Sequence, residues 1–542
     1  MYKYDAVIIG GGHNGLVCAF YLARAGCRVR IFERRHVVGG AAVTEEFHPG
    51  FRNSVASYTV SLLHPKVIAD MALTDHGYRV IERPVANFLP QPDGRYLKVG
   101  GGIEKTQAEF AKFSAKDAAA LPHYQDALEA IADLLRDMML KTPPNVGDGL
   151  SMLTAALSHG RRVGALSLDA QRDMLDLFLK SARAFLDGWF ESEAVKAAFA
   201  FDAVVGNYAS PDTPGSAYVL LHHVMGQVNG KKGAWGHCVG GMGAITQIMA
   251  KVVQAMGVEI SLEAPVERVL VDGSRAVGVR LESGEEVMAA AVIANVGPKL
   301  LYERMMDPAD LPPDFRKRIR GFRTASGSFR MNVALSALPD FSCLPGRGEH
   351  LQAGIIIAPD MDYMDRAFTD AKTRGWSSAP IVEMLIPSIV DDSLAPPGCH
   401  VASLFCQQFA PQLPDGRSWD EARRQAADDV IATVDAYAPG FAASVIARDI
   451  LSPLDLERKF GMVGGDIMHG AMTLDQLWAA RPVLGHAGYR GPAEGLYMCG
   501  AGTHPGGGVT GAPGHNAARA VMKDMALGGR LWRRKRADQA CG

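Results

Sequence analysis

Three glycines and one acid near the N-terminus have a spacing that suits binding chemistry. Gly10, Gly12 and Gly15 form the pattern G-x-G-x-x-G. In this pattern the first glycine allows a tight turn, the second lets backbone approach a pyrophosphate, and the third permits close helix packing. Glu33 follows Gly15 by 18 positions. A carboxylate there can accept the hydroxyl protons of an adenosine ribose and repels a 2′-phosphate. These four residues predict a site for the ADP half of a dinucleotide.

The sequence around the glycines predicts the strand, helix and strand that would hold them. Residues 6–9 are an apolar run typical of a central parallel strand. A helix is expected from about His13 to Ala25. His13 and Asn14 then lie in its first turn, where free N–H groups and the positive dipole end face phosphates. Residues 27–32 alternate as a second strand. This unit alone does not separate NAD from FAD, because both carry the same ADP half.

A glycine pair follows the ribose acid and extends the predicted site. Arg34 comes directly after Glu33, and Gly39, Gly40 and Ala41 follow at a short distance. A glycine pair lets backbone pass close beside a second part of an extended cofactor. A bare NAD domain does not require such a segment, so this pair favours FAD.

The C-terminal region contains a longer glycine-rich loop. Residues 496–514 read LYMCGAGTHPGGGVTGAPG, in which a short buried strand leads into the loop. An Ala-rich helix is expected from about His515 to Met525. Its N-terminus would point towards the flavin ring, with the loop backbone lying flat against that ring. The residues predicted to contact the cofactor here are Gly500, Gly502, Thr503, Gly508, Val509 and Thr510.

The middle of the chain predicts a β-meander followed by a return strand. Strand-like runs separated by turns begin at Val266 and continue to residue 287. A further apolar run, residues 291–295, ends at Asn295. The Asn295 side chain either hydrogen-bonds near the cofactor or simply ends its strand.

Together these segments resemble the phytoene-desaturase-like family of FAD-dependent oxidoreductases, which includes bacterial carotenoid desaturases, carotenoid isomerases and retinol saturase. The N-terminal glycine motif and the loop LYMCGAGTHPGGGVTGAPG carry the resemblance. The middle of the chain is nearest to a branch of pyridine nucleotide-disulphide oxidoreductase domain-containing proteins. The resemblance implies an α/β fold, with a glutathione-reductase-type, Rossmann-like FAD-binding domain and an inserted α+β substrate domain. It also implies that Val266 meets the adenine through its backbone.

The sequence departs from the patterns of its relatives at two points. Many FAD proteins hold the ribityl chain with an aspartate in the last glycine motif. Gly502 and Thr503 stand here instead, so we expect that contact from backbone or from the Thr503 hydroxyl. The eight cysteines contain no C-x-x-C pair, and no second dinucleotide motif is found. We therefore expect electrons to pass to oxygen, a quinone or another acceptor, and not to a bound NAD(P).

The length of 542 residues predicts at least two domains. Because cofactor segments recur at the start, middle and end, the FAD-binding domain is expected to be discontinuous, comprising residues 1–65, 230–298 and 485–530. The substrate domain is expected at residues 66–229 and 299–484, followed by a basic tail, 531–542. Its first part has a mainly helical pattern. Its second part predicts a sheet covered by a helix, with strands near residues 331–335, 354–357, 381–385 and 401–405 and the helix near 419–436.

Composition excludes some classes of partner. The chain carries 56 basic and 58 acidic side chains, a formal charge of -2, so no overall field attracts nucleic acid. The basic segment 530–536 is expected to be either a solvated terminus or a weak contact with acidic lipid headgroups. Scattered cysteines, with no signal-peptide pattern and no long apolar run, predict a cytoplasmic protein, peripherally membrane-associated if that tail binds lipid.

Two histidines are the candidates for catalysis. Hydride transfer to a flavin requires no nucleophile, but a base is needed if a proton must also leave. His504 is the first candidate and His469 the second, and each is also typical of a buried structural histidine. His222 and His223 point apart on a helix, so no metal site is expected.

The leading hypothesis is an FAD-dependent dehydrogenase or desaturase that takes hydride from a C–H bond of a hydrophobic small-molecule substrate. The 23 methionines fit a malleable apolar pocket and fit an ordinary core equally well. The preference for a hydrophobic substrate therefore rests mainly on the resemblance. The alternatives are an amine-oxidase-like flavoenzyme and a non-catalytic FAD-binding scaffold.

Overall fold

The computed structural model describes residues 3–540, and it describes no side chains at residues 222, 223 and 527–542. The strands are β1 Tyr4–Ile9, β2 Val29–Phe32, β3 Thr44–His48, β4 Phe51–Ser54, β5 Val80–Glu82, β6 Asn87–Pro90, β7 Tyr96–Val99, β8 Gln227–Val228, β9 Lys231–Lys232, β10 Gly236–Cys238, β11 Glu259–Ser261, β12 Val266–Asp272, β13 Arg275–Leu281, β14 Glu286–Ala294, β15 Phe329–Leu335, β16 Gly354–Ile357, β17 Trp376–Leu385, β18 His400–Phe409, β19 Val445–Leu451 and β20 Leu496–Met498. The α-helices are α1 His13–Arg24, α2 Pro65–Asp70, α3 Ile103–Phe110, α4 Ala115–Met139, α5 Leu150–Gly164, α6 Leu168–Leu179, α7 Ala182–Leu186, α8 Glu193–Val204, α9 Tyr218–Val224, α10 Met242–Ala255, α11 Pro313–Gly321, α12 Met361–Arg374, α13 Trp419–Tyr437, α14 Phe441–Ser444, α15 Pro453–Phe460 and α16 Ala512–Ala540.

The first sheet joins strands from three distant parts of the chain. Its parallel part has the order β11-β2-β1-β14-β20, and β13 and β12 extend the first half of β14 as an antiparallel meander. Successive β1 side chains are buried on opposite faces. Ile8 belongs to a core that includes residues of α1, α10 and α16, whereas Val7 packs with residues of the meander. A strand buried on both faces explains the continuous apolar run in its sequence.

The second sheet has the order β19-β15-β18-β17-β16-β6-β7. All its neighbouring pairs are antiparallel except β16 and β6. One face packs against α13 through Trp419 and Val430. The other face packs against the helical part of the chain, where Phe405 shares a core with Tyr124 and Phe201. The sheet therefore separates α13 from the helices that enclose the site described below.

The predicted α/β architecture is confirmed, and the four predicted strands of the second sheet and its covering helix are present. The chain segment 80–99, within a region predicted as mainly helical, forms β5, β6 and β7. These strands have only three or four residues, too few to show a clear alternation of apolar and polar residues. The predicted domain boundaries remain a prediction, although the first sheet draws only on residues 4–32, 259–294 and 496–498.

Two elements of the first sheet and its covering helices differ from prediction. The third meander strand and the return strand are one continuous strand, β14. The central alanines of β14 have a low strand propensity, so the sequence indicated two separate strands here. Helix α16 begins at Ala512 rather than near His515, because Pro513 and Gly514 are tolerated in a first helical turn.

None of the described helices has both the length and the apolar character needed to cross a membrane. Within the part of the chain that the structure describes, no group of three or more His, Cys, Asp or Glu side chains is placed to hold a metal ion. The side chains of the basic tail, and those of His222 and His223, lie outside the described ones.

Candidate functional site

The glycine motif forms a tight turn between β1 and α1. Gly10 has a φ of +94°, which L side chains rarely adopt. An added Cβ at Gly15 would lie 2.5 Å from the carbonyl oxygen of Gly10, so only glycine lets α1 begin this close to the strand. His13 and Asn14 are the first two residues of α1. The structure thus places the turn, the close packing and the helix N-terminus where the sequence predicted them.

Asn295 and the glycine pair hold this turn from the other side. The Asn295 side-chain amide donates to the carbonyl oxygen of Gly10 over 3.1 Å. The backbone N–H of Gly39 donates to the carbonyl oxygen of Gly11 over 2.9 Å. Gly39 and Gly40 have φ values of +127° and +56°. Asn295 therefore orders the glycine turn as well as ending β14.

Glu33 is buried at the end of β2, beside the glycine turn. Its Oε2 atom accepts a hydrogen bond from the Gly11 backbone N–H over 2.8 Å, and its Oε1 atom accepts one from the Arg35 N–H over 3.0 Å. A carboxylate oxygen has more than one lone-pair site, so both oxygens can accept further bonds. The carboxylate is therefore held rigidly in place by backbone.

A cleft of about 1290 Å³ opens beside these residues. Many of the residues predicted to bind the cofactor line it, namely Gly10, Gly12, His13, Asn14, Glu33, Arg34, Gly40, Ala41, Val266 and Asn295. Sequence reasoning missed other walls, including Arg35, Leu300, Arg304, Phe460 and Met462. The last two are more than 400 positions from the glycine motif and belong to no motif, so no local pattern could have identified them.

Three buried polar atoms of the cleft lining have no hydrogen-bond partner among the described residues. They are His13 Nε2, Asn14 Oδ1 and Arg35 Nη1. Burial lowers the pKa of His13 to about 4, so its imidazole is neutral at pH 7. Unpartnered buried donors and acceptors cost free energy unless a ligand or a water molecule satisfies them. The cleft thus offers polar groups that a dinucleotide would engage.

A second chamber of about 970 Å³, here called the inner chamber, adjoins this cleft. The two share the wall residues His13, Ala41, Met462, His469 and Ala501. The remaining walls of the inner chamber are mostly apolar and include Val60, Leu62, Leu63, Val205, Ile245, Phe405, Ile467 and Met468. The segment 56–63, which supplies much of this wall, was not identified from the sequence because it carries no motif.

The C-terminal glycine loop contributes only part of its predicted contacts. Gly508 and Val509 line the inner chamber, as does Ala501, which was not predicted. The other predicted residues of this described loop, Gly500, Gly502, Thr503 and Thr510, lie outside the walls of both spaces. The Thr503 hydroxyl donates to the Gly500 carbonyl oxygen over 2.8 Å, so it closes a turn instead of facing the cavity. At Gly502 an added Cβ would lie 2.4 Å from Pro298 Cδ, which indicates a packing role.

The two candidate histidines lie in different surroundings. His469 lines both the cleft and the inner chamber, and burial lowers its pKa to about 4, with a smaller contribution from the charge of Arg481. His504 does not line either space. Its Nε2 donates to the Met138 carbonyl oxygen over 3.3 Å, and its ring packs edge-to-face on Trp478. The structure therefore brings His469 to the site and leaves His504 in the core.

A buried arginine holds two of the wall loops together. Arg481 is fully buried, and its guanidinium donates to the carbonyl oxygens of Met468 over 2.6 Å and of Ala501 over 2.8 Å. The nearby Asp466 carboxylate raises the pKa of Arg481. Burial has the larger effect and lowers this pKa to about 10. Burial raises the pKa of Asp466 to about 6. Arg481 thus fixes the position of Met468 and Ala501 in the inner chamber.

Two cysteines meet in the fold although their spacing suggested no pair within reach. Cys18 on α1 and Cys499 after β20 are fully buried, and they lie close enough together for Cys18 to raise the pKa of the Cys499 thiol. Burial and this contact raise the pKa of Cys499 well above its usual range. Both are free thiols. A thiol with a raised pKa is a poor nucleophile, so this pair has the character of core packing.

Comparison with known proteins identifies the class of this molecule. Its fold matches an oxidoreductase of Methanosarcina mazei with a TM-score of 0.59 and 17% identity, over 96% of this chain and 99% of the other. This likeness shows the fold of the chain. The profile of the flavin containing amine oxidoreductase family matches residues 15–329. The chain belongs to this family, and its cofactor is FAD.

Three relatives align over nearly the whole chain. Pyridine nucleotide-disulfide oxidoreductase domain-containing protein 2 of Rattus norvegicus is 43% identical, over 96% of this chain and 94% of that protein. One of the subunits of limonene dehydrogenase from Castellaniella defragrans is 25% identical, over 96% and 95%. Prolycopene isomerase of Daucus carota is 22% identical, over 97% and 81%. The predicted resemblance to the phytoene-desaturase-like proteins is confirmed. So is the predicted resemblance to the branch of pyridine nucleotide-disulphide oxidoreductase domain-containing proteins.

Proposed function

We propose that this protein is an FAD-dependent dehydrogenase or desaturase that oxidises a C–H bond of a hydrophobic small molecule. The observation that carries the proposal is the inner chamber, because a mostly apolar space directly adjoins the cofactor cleft. The similarity to a limonene dehydrogenase supports the same class, since limonene is an apolar hydrocarbon.

The residues of the cleft suit the two ends of FAD. Glu33 would accept the ribose hydroxyls, and the first turn of α1, with His13 and Asn14, would bind the pyrophosphate. Val266 lies on the same cleft wall, where an adenine would rest. Ala501, Gly508 and Val509 would leave room for the ring system in the inner chamber.

The protein side of the reaction is mainly positioning and exclusion of water. Bound FAD supplies an acceptor for hydride. The apolar walls hold the substrate carbon and keep water out. His469 is neutral at pH 7 because burial lowers its pKa to about 4, so it can accept a proton if the reaction releases one. His504 donates to backbone in the core and is not assigned a catalytic role.

The number of dinucleotide motifs in the sequence bears on the class of electron acceptor. We assign oxygen, a quinone or a protein acceptor, and not bound NAD(P), because the sequence contains a single dinucleotide motif. The test is anaerobic mixing of the purified yellow protein with NADH or NADPH, followed by photoreduction and exposure to oxygen or a quinone. We expect the nicotinamides to leave the flavin absorbance unchanged and the acceptors to restore it. Rapid stoichiometric bleaching by a nicotinamide would overturn the assignment.

The substrate class is tested with limonene first and then a panel of apolar alkenes and amines. Substrate-dependent bleaching of the flavin by an apolar hydrocarbon supports the dehydrogenase. An amine oxidase is the second candidate, favoured by the family to which the chain belongs, and hydrogen peroxide release from an amine would identify it. If photoreduced protein fails to reoxidise with any acceptor, the non-catalytic scaffold is the better description.

A further inference from the structure

Two oppositely charged side chains lie behind the wall that the cofactor cleft and the inner chamber share. Arg481 and Asp466 are both buried, with exposed fractions of 0% and 1%. The Arg481 guanidinium donates to the carbonyl oxygen of Ala501, and Ala501 lines both spaces. A buried cation is therefore bonded to the wall on which the proposed function places the flavin ring.

Backbone carbonyl oxygens supply the hydrogen-bond acceptors of Arg481. Its guanidinium donates to the carbonyl oxygens of Met468 over 2.6 Å, Ala501 over 2.8 Å, Gln476 over 3.2 Å and Gly470 over 3.4 Å. Each of these acceptors is a neutral group. Hydrogen bonding therefore satisfies the guanidinium but adds no counter-charge to it.

The nearby counter-charge is the carboxylate of Asp466, which is itself bonded to backbone. Its Oδ1 atom accepts from the Met468 N–H over 2.9 Å, and its Oδ2 atom accepts from the Gly470 N–H over 2.8 Å. Burial raises the pKa of Asp466 to about 6, so this carboxyl is ionised at pH 8. Arg481 and Asp466 thus hold the segment 468–470 from opposite sides, each with its charge in place.

Three other titratable groups near Arg481 are neutral at pH 8. Burial raises the pKa of Tyr218 to about 12 and lowers the pKa values of His469 and His504 to about 4. His469 belongs to the shared wall, and the charge of Arg481 also lowers the pKa of this histidine. The positive charge of Arg481 therefore reaches the wall, although Asp466 lies nearby.

Reduction changes the charge of a flavin ring. Transfer of one hydride brings two electrons and one proton to a neutral oxidised ring, which leaves the ring with one negative charge. A fixed positive charge nearby stabilises this reduced ring, and a fixed negative charge destabilises it. Such effects are larger in a buried site than in water, because the effective dielectric constant is lower.

We propose that Arg481 raises the reduction potential of bound FAD by stabilising the negatively charged reduced ring, and that Asp466 offsets part of this effect. A higher potential makes FAD a stronger hydride acceptor, which suits the oxidation of a C–H bond. This inference rests on the proposed function for the placement of the ring beside Ala501. It does not depend on the identity of the substrate.

The test is the two-electron reduction potential of the FAD-loaded protein at pH 8, measured by slow anaerobic photoreduction with a reference dye. Arg481→Gln removes the charge and should weaken the binding of reduced FAD relative to oxidised FAD at least about tenfold, a fall in potential of about 30 mV. Arg481→Lys keeps the charge and should stay within about threefold of the parent ratio. Arg172→Gln, at an exposed position on α6, is the control and should not change it. A parent-like potential in Arg481→Gln would overturn the proposal.

A second variant separates the effect of charge from a loss of wall structure. Asp466→Asn removes the opposing negative charge and should strengthen the binding of reduced FAD relative to oxidised FAD at least about threefold. A purely structural role for the two residues would not shift the potential in opposite directions. If Arg481→Gln does not fold or retain FAD, Asp466→Asn still decides the outcome, and an unchanged or lower potential would refute the proposal. Because the measurement uses no substrate, failure of every substrate to reduce the flavin would count against the proposed function alone.

Discussion

At the scale of single residues, the cofactor cleft is ordered before any ligand contacts it. Glu33 is fixed by two backbone N–H groups, and Asn295 holds the carbonyl oxygen of Gly10. Both side chains therefore present defined atoms to the cleft without having to be ordered on binding. Preorganisation of this kind increases affinity, because less conformational entropy is lost when the ligand binds.

The first prediction concerns Glu33. Glu33→Ala removes the acceptor for the ribose hydroxyls and should weaken FAD binding by roughly 10- to 100-fold, the range expected for hydrogen bonds to a charged group. FAD affinity is measured by fluorescence titration of the apoprotein, with circular dichroism as the check on folding. Glu267→Ala, at an exposed position on the rim of the same cleft, is the control and should have little effect. Equal FAD affinity in Glu33→Ala and the parent protein would refute the ribose assignment.

At the scale of elements, the site depends on the close contact between α1 and α16. An added Cβ at Gly514 would lie 2.2 Å from the carbonyl oxygen of Asn14. The two helices can approach this closely only because Gly514 has no side chain. The same approach places the loop before α16 beside the N-terminus of α1, so Gly508 and His13 line one chamber.

The second prediction tests this contact. Gly514→Ala should lower the free energy of unfolding by roughly 1–3 kcal/mol, because backbone must shift to accommodate the methyl group. Gly160→Ala on α5 is the matched control, since nothing lies within 4 Å of its added Cβ. That variant should be stabilised by up to about 1 kcal/mol through helix propensity. Urea denaturation measures both, and a neutral Gly514→Ala would show that the helices can separate without cost.

At the scale of the whole molecule, buried histidines make stability depend on pH. Burial lowers the pKa values of His13, His469 and His504 to about 4. A histidine with a lowered folded pKa contributes stability that is present above its unfolded pKa, near 6.5, and is lost as pH falls towards 4. Asp466 acts in the opposite direction. Its raised pKa of about 6 means that its contribution is lost as pH rises through that value.

The third prediction is a net loss of stability between pH 7 and pH 5. Over this interval each buried histidine should lower the free energy of unfolding by roughly 2 kcal/mol, and Asp466 should raise it by a smaller amount. His504→Asn should reduce the difference between the urea midpoints at the two pH values, whereas His123→Asn, at an exposed position on α4, should not. Both are measured at saturating FAD. A parent protein equally stable at pH 7 and pH 5 would contradict the burial argument.

The sequence alone determined the local parts of this protein. The strand, glycine turn, helix and acid of residues 5–33 are contiguous, and the spacing of the glycines is characteristic of a dinucleotide-binding turn. The class of cofactor followed from such local patterns. Four of the seven strands of the second sheet, β15 to β18, were also predicted, from their largely apolar runs.

Only the tertiary structure decided which side chains face the cavities. Thr503 and Gly508 lie five positions apart in the same loop, yet one closes a turn and the other lines a wall. Arg330, Phe405 and Glu383 become neighbours through the register of three strands, and Tyr58 meets them from a distant segment. Strand register and long-range packing depend on the whole set of competing contacts. They therefore cannot be predicted from a short stretch of sequence.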